Sequence, residues 1–163
     1  MIEARELTKR YGDTTAVHSL SFTIAPGTVT GFLGPNGAGK STTMRMIMGL
    51  DRPTSGTVTV NSQPHRQHRA PLRKVGALLD AKAVHPGRNA RSHLRAMAAT
   101  HNIKASRVSE IIEMTGLAGV ATKRVGEFSL GMGQPLGIAA ALLGDHRTLI
   151  LDEPVNGLDP EGV

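Results

Sequence analysis

The stretch "GPNGAGKS" at residues 34–41 constrains the fold more than any other part of the chain. It fits the pattern G-x-x-x-x-G-K-[ST] in full. The apolar run "VTGFLG" (29–34) leads into it, and "STTMRMIMGL" (41–50) follows with Met44, Ile47 and Met48 at helical spacing. Strand, glycine-rich loop and helix in that order predict backbone N–H groups converging on an anion. Gly34, Gly37 and Gly39 allow the tight turn. The helix N-terminus adds about half a positive charge. Lys40 brings a full charge to the terminal phosphates, and Ser41 offers a hydroxyl to Mg²⁺. Asn36, Ala38 and Thr42 complete the segment expected around the phosphates.

A second motif stands near the end. "TLILDEP" (148–154) reads as a buried strand ending in two acids, Asp152 and Glu153. Ligands of α/β sheets sit beyond the carboxyl ends of the strands. Asp152 there would hold Mg²⁺, directly or through water, and Glu153 would orient and polarise an attacking water. Just before it, "FSLGMGQPLGIAAALLG" (128–144) carries no charge. It is too short and too rich in Gly for a membrane span, which needs about 20 apolar residues. Its second half, "QPLGIAAALLG", predicts an apolar helix.

Elsewhere, "IEAREL" (2–7) and "VHSLSFTI" (17–24) alternate as strands, with a turn at "PGT" (26–28). "GTVTV" (56–60) and "LRKVGALL" (72–79) are further strand candidates, and residues 89–101 and 106–117 predict helices, the second capped by Gly116. Antiparallel strands therefore come first and α/β order with parallel strands follows. The 163 residues suffice for one domain. There is no Cys, which excludes disulfide and thiolate chemistry. The start lacks the basic-then-apolar pattern of a signal peptide, so a cytoplasmic protein is expected. Charge is uneven: residues 52–109 hold eleven Lys/Arg against the single acid Asp80, whereas residues 110–163 hold three against eight. The basic block reads either as a solvated Arg-rich surface or as a face meeting lipid headgroups or nucleic acid. His65 and His68, in "HRQH", are expected to be solvated in a polar loop, with no third ligand for a metal.

Taken together, "GPNGAGKST", the uncharged stretch and "LILDEPVNGLDPEG" resemble the ATP-binding cassette (ABC) ATPases over the whole chain. The likeness is specifically to ATP-binding subunits of bacterial drug-export transporters of the daunorubicin-resistance type. The resemblance implies an α/β fold: a P-loop NTPase core with a parallel sheet, an N-terminal antiparallel β part and an inserted helical subdomain. It implies one nucleotide-binding domain, with residues 1–80 and 145–163 as core and about 81–144 as the helical subdomain. It implies ATP and Mg²⁺ as ligands, a membrane permease as partner, and a second nucleotide-binding domain paired head to tail. A place on the inner face of the cell membrane follows. Residue by residue, Ser129 and Gly131 match signature positions that cap the γ-phosphate held by the other subunit. Tyr11 matches the aromatic that stacks on adenine, where stacking is worth about 1–3 kcal/mol. Asp159 matches a loop at the dimer interface, and Asp80 aligns with the glutamine that faces Mg²⁺.

There are departures. Leu130 stands where the family usually has glycine, a substitution costing about 1–2 kcal/mol if the position needs positive φ. Pro135 replaces a usually basic residue, so the helix is expected to start late or be disturbed. The family continues beyond the equivalent of Val163 with a switch histidine, and all seven histidines here precede Asp152. A chain that binds nucleotide but hydrolyses little is therefore expected. Two alternatives stay open: an ABC ATPase acting on nucleic acid or the ribosome, and a decayed nucleotide-binding fragment. The first is disfavoured by the scarcity of aromatics, with three Phe, one Tyr and no Trp.

Overall fold

The alternation at the start of the chain builds β1 (Ile2–Tyr11), which pairs antiparallel on both sides. Its neighbours are β2 (Thr14–Ile24) and β3 (Ser55–Val60), in the order β2-β1-β3. The computed structural model describes residues 1–80 and 84–154. β1 outruns the expected 2–7 because bulges carry it past breaks in register. Glu6 (φ 48°) and Ser19 (φ 44°) take left-handed backbone there. Side chains replace ladder bonds at both places: the Glu6 N–H donates to Ser21 Oγ (2.8 Å) and the Ser19 N–H to Thr8 Oγ1 (2.9 Å). Ala4, Leu7, Val17 and Met46 are buried as the core under this sheet.

The run 29–34 departs from expectation. It lies in no ladder, and Val29 and Leu33 are 104% and 93% exposed. An apolar run suits a chain to a sheet, whereas a strand exists only beside a partner. No described strand pairs with it. The helix after the loop is α1 (Lys40–Ile47). It ends at Gly49 (φ 68°), where Gly49 N–H reaches the Met46 carbonyl (3.0 Å) and Leu50 N–H the Arg45 carbonyl (2.9 Å). This paired closure turns the chain back along the helix.

By contacts the chain divides into two compact units, Met1–Pro71 and Leu72–Val163. The second unit takes in strands as well as helices. The reason is that β4 (Gly76–Leu78) packs on α4 (Leu130–Leu142) and pairs with β5 (Leu149–Leu151), which keeps all three with the helices. β4 and β5 are parallel, as expected, with Gly76, Ala77 and Leu78 opposite Leu149, Ile150 and Leu151. β5 is shorter and less buried than read from sequence: Leu149 is 43% exposed and only Ile150 is enclosed, because among the described strands β5 is an edge.

The helices of this unit surround Leu94, Ile111, Ile112, Leu117, Leu136 and Leu143. In α2 (Ala90–Thr100) the side chain of Asn89 caps the Ser92 N–H (2.7 Å). α3 (Ala105–Met114) closes at Gly116 (φ 69°) as expected, with Leu117 N–H on the Ile112 carbonyl (2.9 Å) and its side chain in the core. α4 neither starts late nor stops at Pro135. It opens at Leu130. Pro135 sits inside it and supplies no N–H to the Gly131 carbonyl one turn back. Burial of Gln134, Leu136, Ala139 and Ala141 holds the helix in place.

Candidate functional site

The phosphate loop belongs to the first unit. Gly37 and Gly39 have φ of 84° and 81°. At Gly39 a Cβ would lie 2.3 Å from the Ala16 carbonyl oxygen and 2.8 Å from Val17 Cγ2, so glycine is required for space as well as for backbone angle. Gly39 is also the residue from which α1 starts, with no side-chain cap and no acid in the first turn. The N–H groups at that end therefore face a site suited to an anion. Lys40 folds back across the loop, its ammonium donating to the carbonyls of Gly34 (2.7 Å) and Pro35 (2.9 Å). A cation held over backbone acceptors can exchange them for phosphate oxygens without leaving the loop. Asn36 and Ala38 form the turn between, where the Ala38 N–H donates to the Pro35 carbonyl (3.2 Å). Ser41 is exposed on the first turn of α1, and Thr42 beside it is half-buried.

Tyr11 ends β1 and is 49% exposed. Its hydroxyl donates to Asp51 Oδ2 (2.9 Å), and the Lys9 ammonium stands 4.8 Å from its ring centre. The hydrogen bond to the Asp51 carboxylate is the main cause that raises the phenol above its ordinary pKa, while Thr42 acts in the opposite direction.

The acid pair belongs to the second unit. Asp152 follows β5 directly and its N–H donates to the Leu78 carbonyl (2.8 Å). Asp80 follows β4 two residues later. The parallel register thus brings Asp80, Asp152 and Glu153 to the same carboxyl edge of β4 and β5. No group of three or more His, Cys, Asp or Glu among the described residues is arranged to hold a metal by itself. Mg²⁺ does not need one, since it takes one or two protein oxygens, phosphates and water.

Glu153 has φ 47°, a left-handed conformation that costs a non-glycine residue about 1–2 kcal/mol. Its carbonyl accepts from the side-chain amide of Gln134 (3.0 Å), which is only 6% exposed on α4. Sequence reasoning missed Gln134; a polar residue within an otherwise apolar helix was the available signal. Ser129 is the N-cap residue of α4, but its hydroxyl makes no cap bond and no acid lies in the first turn. Gly131 lies within that turn. Asp159 lies outside the described residues.

Two expectations about side groups change. His65 and His68 are not solvated: they are 9% and 6% exposed, with rings 5.8 Å apart. His68 bridges the Val60 carbonyl (2.9 Å) and the Gln63 side chain (2.6 Å), so the "polar loop" is folded onto the end of β3. Burial, and then His68, lowers the pKa of His65. In the basic block, some cations are structural. Arg73 donates to the carbonyls of His101 (3.0 Å) and Asn102 (2.6 Å) at the end of α2. Arg107 does the same for Leu142 (3.1 Å) at the end of α4.

These features define a class, and comparison with known proteins places the chain in it. A match to the ABC transporter family runs over residues 17–156. The chain belongs to that family, in its ATP-binding class. It is 42% identical over 165 residues to the bacitracin transport ATP-binding protein BcrA of Bacillus licheniformis, covering 100% of this chain and 54% of the relative. It is 35% identical over 163 residues to the lantibiotic transport ATP-binding protein SrtF of Streptococcus pyogenes, covering 100% of this chain and 70% of that one. It thus spans about half the length of BcrA. An ATP-binding subunit of an ABC transporter of known structure superposes with TM-score 0.85 at 26% identity, over 99% of this chain and 69% of that one. The cassette MJ0796, solved as a dimer with ADP and Pi, superposes with TM-score 0.88 at 23% identity and covers 99% and 78%, which shows the shared fold. No helix among the described residues is long and apolar enough to cross a membrane.

Proposed function

We propose that this chain is the nucleotide-binding part of an ABC export ATPase, converting ATP binding and hydrolysis into movement of a drug-like or lipid-like substrate through a membrane permease. The observation that carries this reading is the loop at Gly39: a position open only to glycine begins an uncapped helix, and Lys40 is already folded over it. The backbone from Gly34 to Thr42 would cradle the phosphates, and Tyr11 would take the adenine. Mg²⁺ would be held by Ser41 and Asp152, with Asp80 near it, and would neutralise phosphate charge. Glu153 would orient the attacking water, its backbone fixed by Gln134. The relatives' names, bacitracin and lantibiotic transport, support export of antibiotic-like peptides or lipids.

The signature residues Ser129 and Gly131 head a helix whose N-terminus no side chain caps. That suits a terminal phosphate presented by a second copy of the domain, with Asp159 at the contact. Turnover then depends on pairing, and the chain alone at low concentration binds ATP with little hydrolysis. A cytoplasmic place on the inner membrane face agrees with this. The nucleic-acid reading is weaker, because Arg73 and Arg107 are occupied at helix ends. Titration calorimetry with Mg-ATP tests the assignment. Lys40→Ala is expected to weaken binding about 10- to 100-fold, the size of a lost charge-assisted contact. Unchanged affinity would remove the phosphate loop from the account.

A further inference from the structure

Tyr11 is held by more than its place in β1. A tyrosine ring has two torsions to fix, and each has its own anchor here. The hydroxyl bond to Asp51 Oδ2 (2.9 Å) fixes the direction of the ring axis. It leaves rotation about that axis free, because the hydroxyl lies on the axis. The Lys9 ammonium, 4.8 Å from the ring centre, fixes that rotation by drawing one face toward itself. Lys9 is itself pinned, donating to the Arg52 carbonyl (2.8 Å). Both anchors therefore lead back to residues 51 and 52, one directly and one through Lys9.

Those two residues are set by α1. The closure at Gly49 turns the chain back, and Arg45 grips Asp51 in a fork, Nε to Oδ2 (2.9 Å) and Nη2 to Oδ1 (3.2 Å). The Arg45 guanidinium is the main cause that lowers the Asp51 pKa below the ordinary carboxylate value, so the acceptor stays charged. α1 is the helix that starts at the phosphate loop. A continuous path of bonds thus runs from the loop through α1, Gly49 and Asp51 to the Tyr11 ring.

We propose that Asp51, clasped by Arg45, is a positioning residue that locks the Tyr11 ring to the phosphate-loop helix, so that the chain prefers a nucleotide carrying a base over bare polyphosphate. This deepens the proposed function and rests on it, in that Tyr11 is taken as the base platform. With one face turned to Lys9, the other is left for the base. Fixing the ring before binding removes an ordering cost that a loose ring would meet on each association.

The test compares the affinities of Mg-ATP and inorganic tripolyphosphate for the intact chain carrying Tyr11→Phe, Asp51→Ala or both. Tyr11→Phe keeps the ring and loses only the tether. Each single change is expected to weaken ATP binding about three- to tenfold and leave tripolyphosphate unchanged. The double change should be no worse than either single one, because all cut the same tether. Wild-type ATP affinity in both single variants would overturn the proposal. So would an equal loss for tripolyphosphate, which would mean that α1 itself had been disturbed. If Tyr11→Ala lost the preference for ATP while Tyr11→Phe kept it, the ring would stack without the tether: the proposal would fail and the nucleotide reading would stand. If Lys40→Ala weakened neither ligand, the nucleotide reading would fail instead.

Discussion

At Gly39 a single hydrogen decides whether the loop can form. Gly39→Ala adds a Cβ to left-handed backbone and drives it against the Ala16 carbonyl. The expected loss is at least about 2 kcal/mol, from backbone strain and overpacking together. Urea unfolding would measure it, and nucleotide affinity should fall with it. This residue was legible because its constraint is local: three glycines and a lysine at fixed spacing describe the turn they make. Tyr11 was legible as an aromatic but not as a tethered one, since Asp51 lies 40 residues away. His65 and His68 were misread for the same reason. Three residues of 3₁₀ helix (His65–Gln67) fold them against β3, and no short-range pattern announces that.

Elements were legible where they carry their own punctuation. Asn89 starts α2 and Gly116 ends α3 with bonds that their side chain and backbone freedom predict. The element at 29–34 was not, because pairing is a property of two segments and a sequence shows only one. α4 was half legible: composition gave its burial, while Pro135 argued for a break that packing overrides. The missing hydrogen bond remains a cost. Pro135→Ala should restore an N–H for the Gly131 carbonyl and stabilise the protein by about 1–3 kcal/mol, read as a higher Tm. Gln134→Leu should act oppositely on the site. It removes the donor that holds the Glu153 carbonyl, and a loss of about 1 kcal/mol in stability is expected. Its hydrolysis rate, measured with the protein at pairing concentrations, should fall more than its ATP affinity.

At the scale of the whole molecule, pH bears on each unit separately. His65 in the first and His93 in the second both have pKa lowered below the ordinary value of 6.5. The first cause in each is burial, followed by His68 for His65 and Arg88 for His93. A base with a depressed folded pKa binds protons more readily when unfolded. Stability is therefore full above about 6.5 and declines as pH falls below it. Thermal melts between pH 8 and 5 should show the decline, and His65→Phe should flatten the part that belongs to the first unit.

The run from Val29 to Leu33 also bears on handling of the chain. Two bare aliphatic side chains beside backbone groups that pair with no described strand make a template for adhesion between copies. Concentrated samples should cluster through it, and Leu33→Lys, placed where the side chain meets only water, should keep them dispersed.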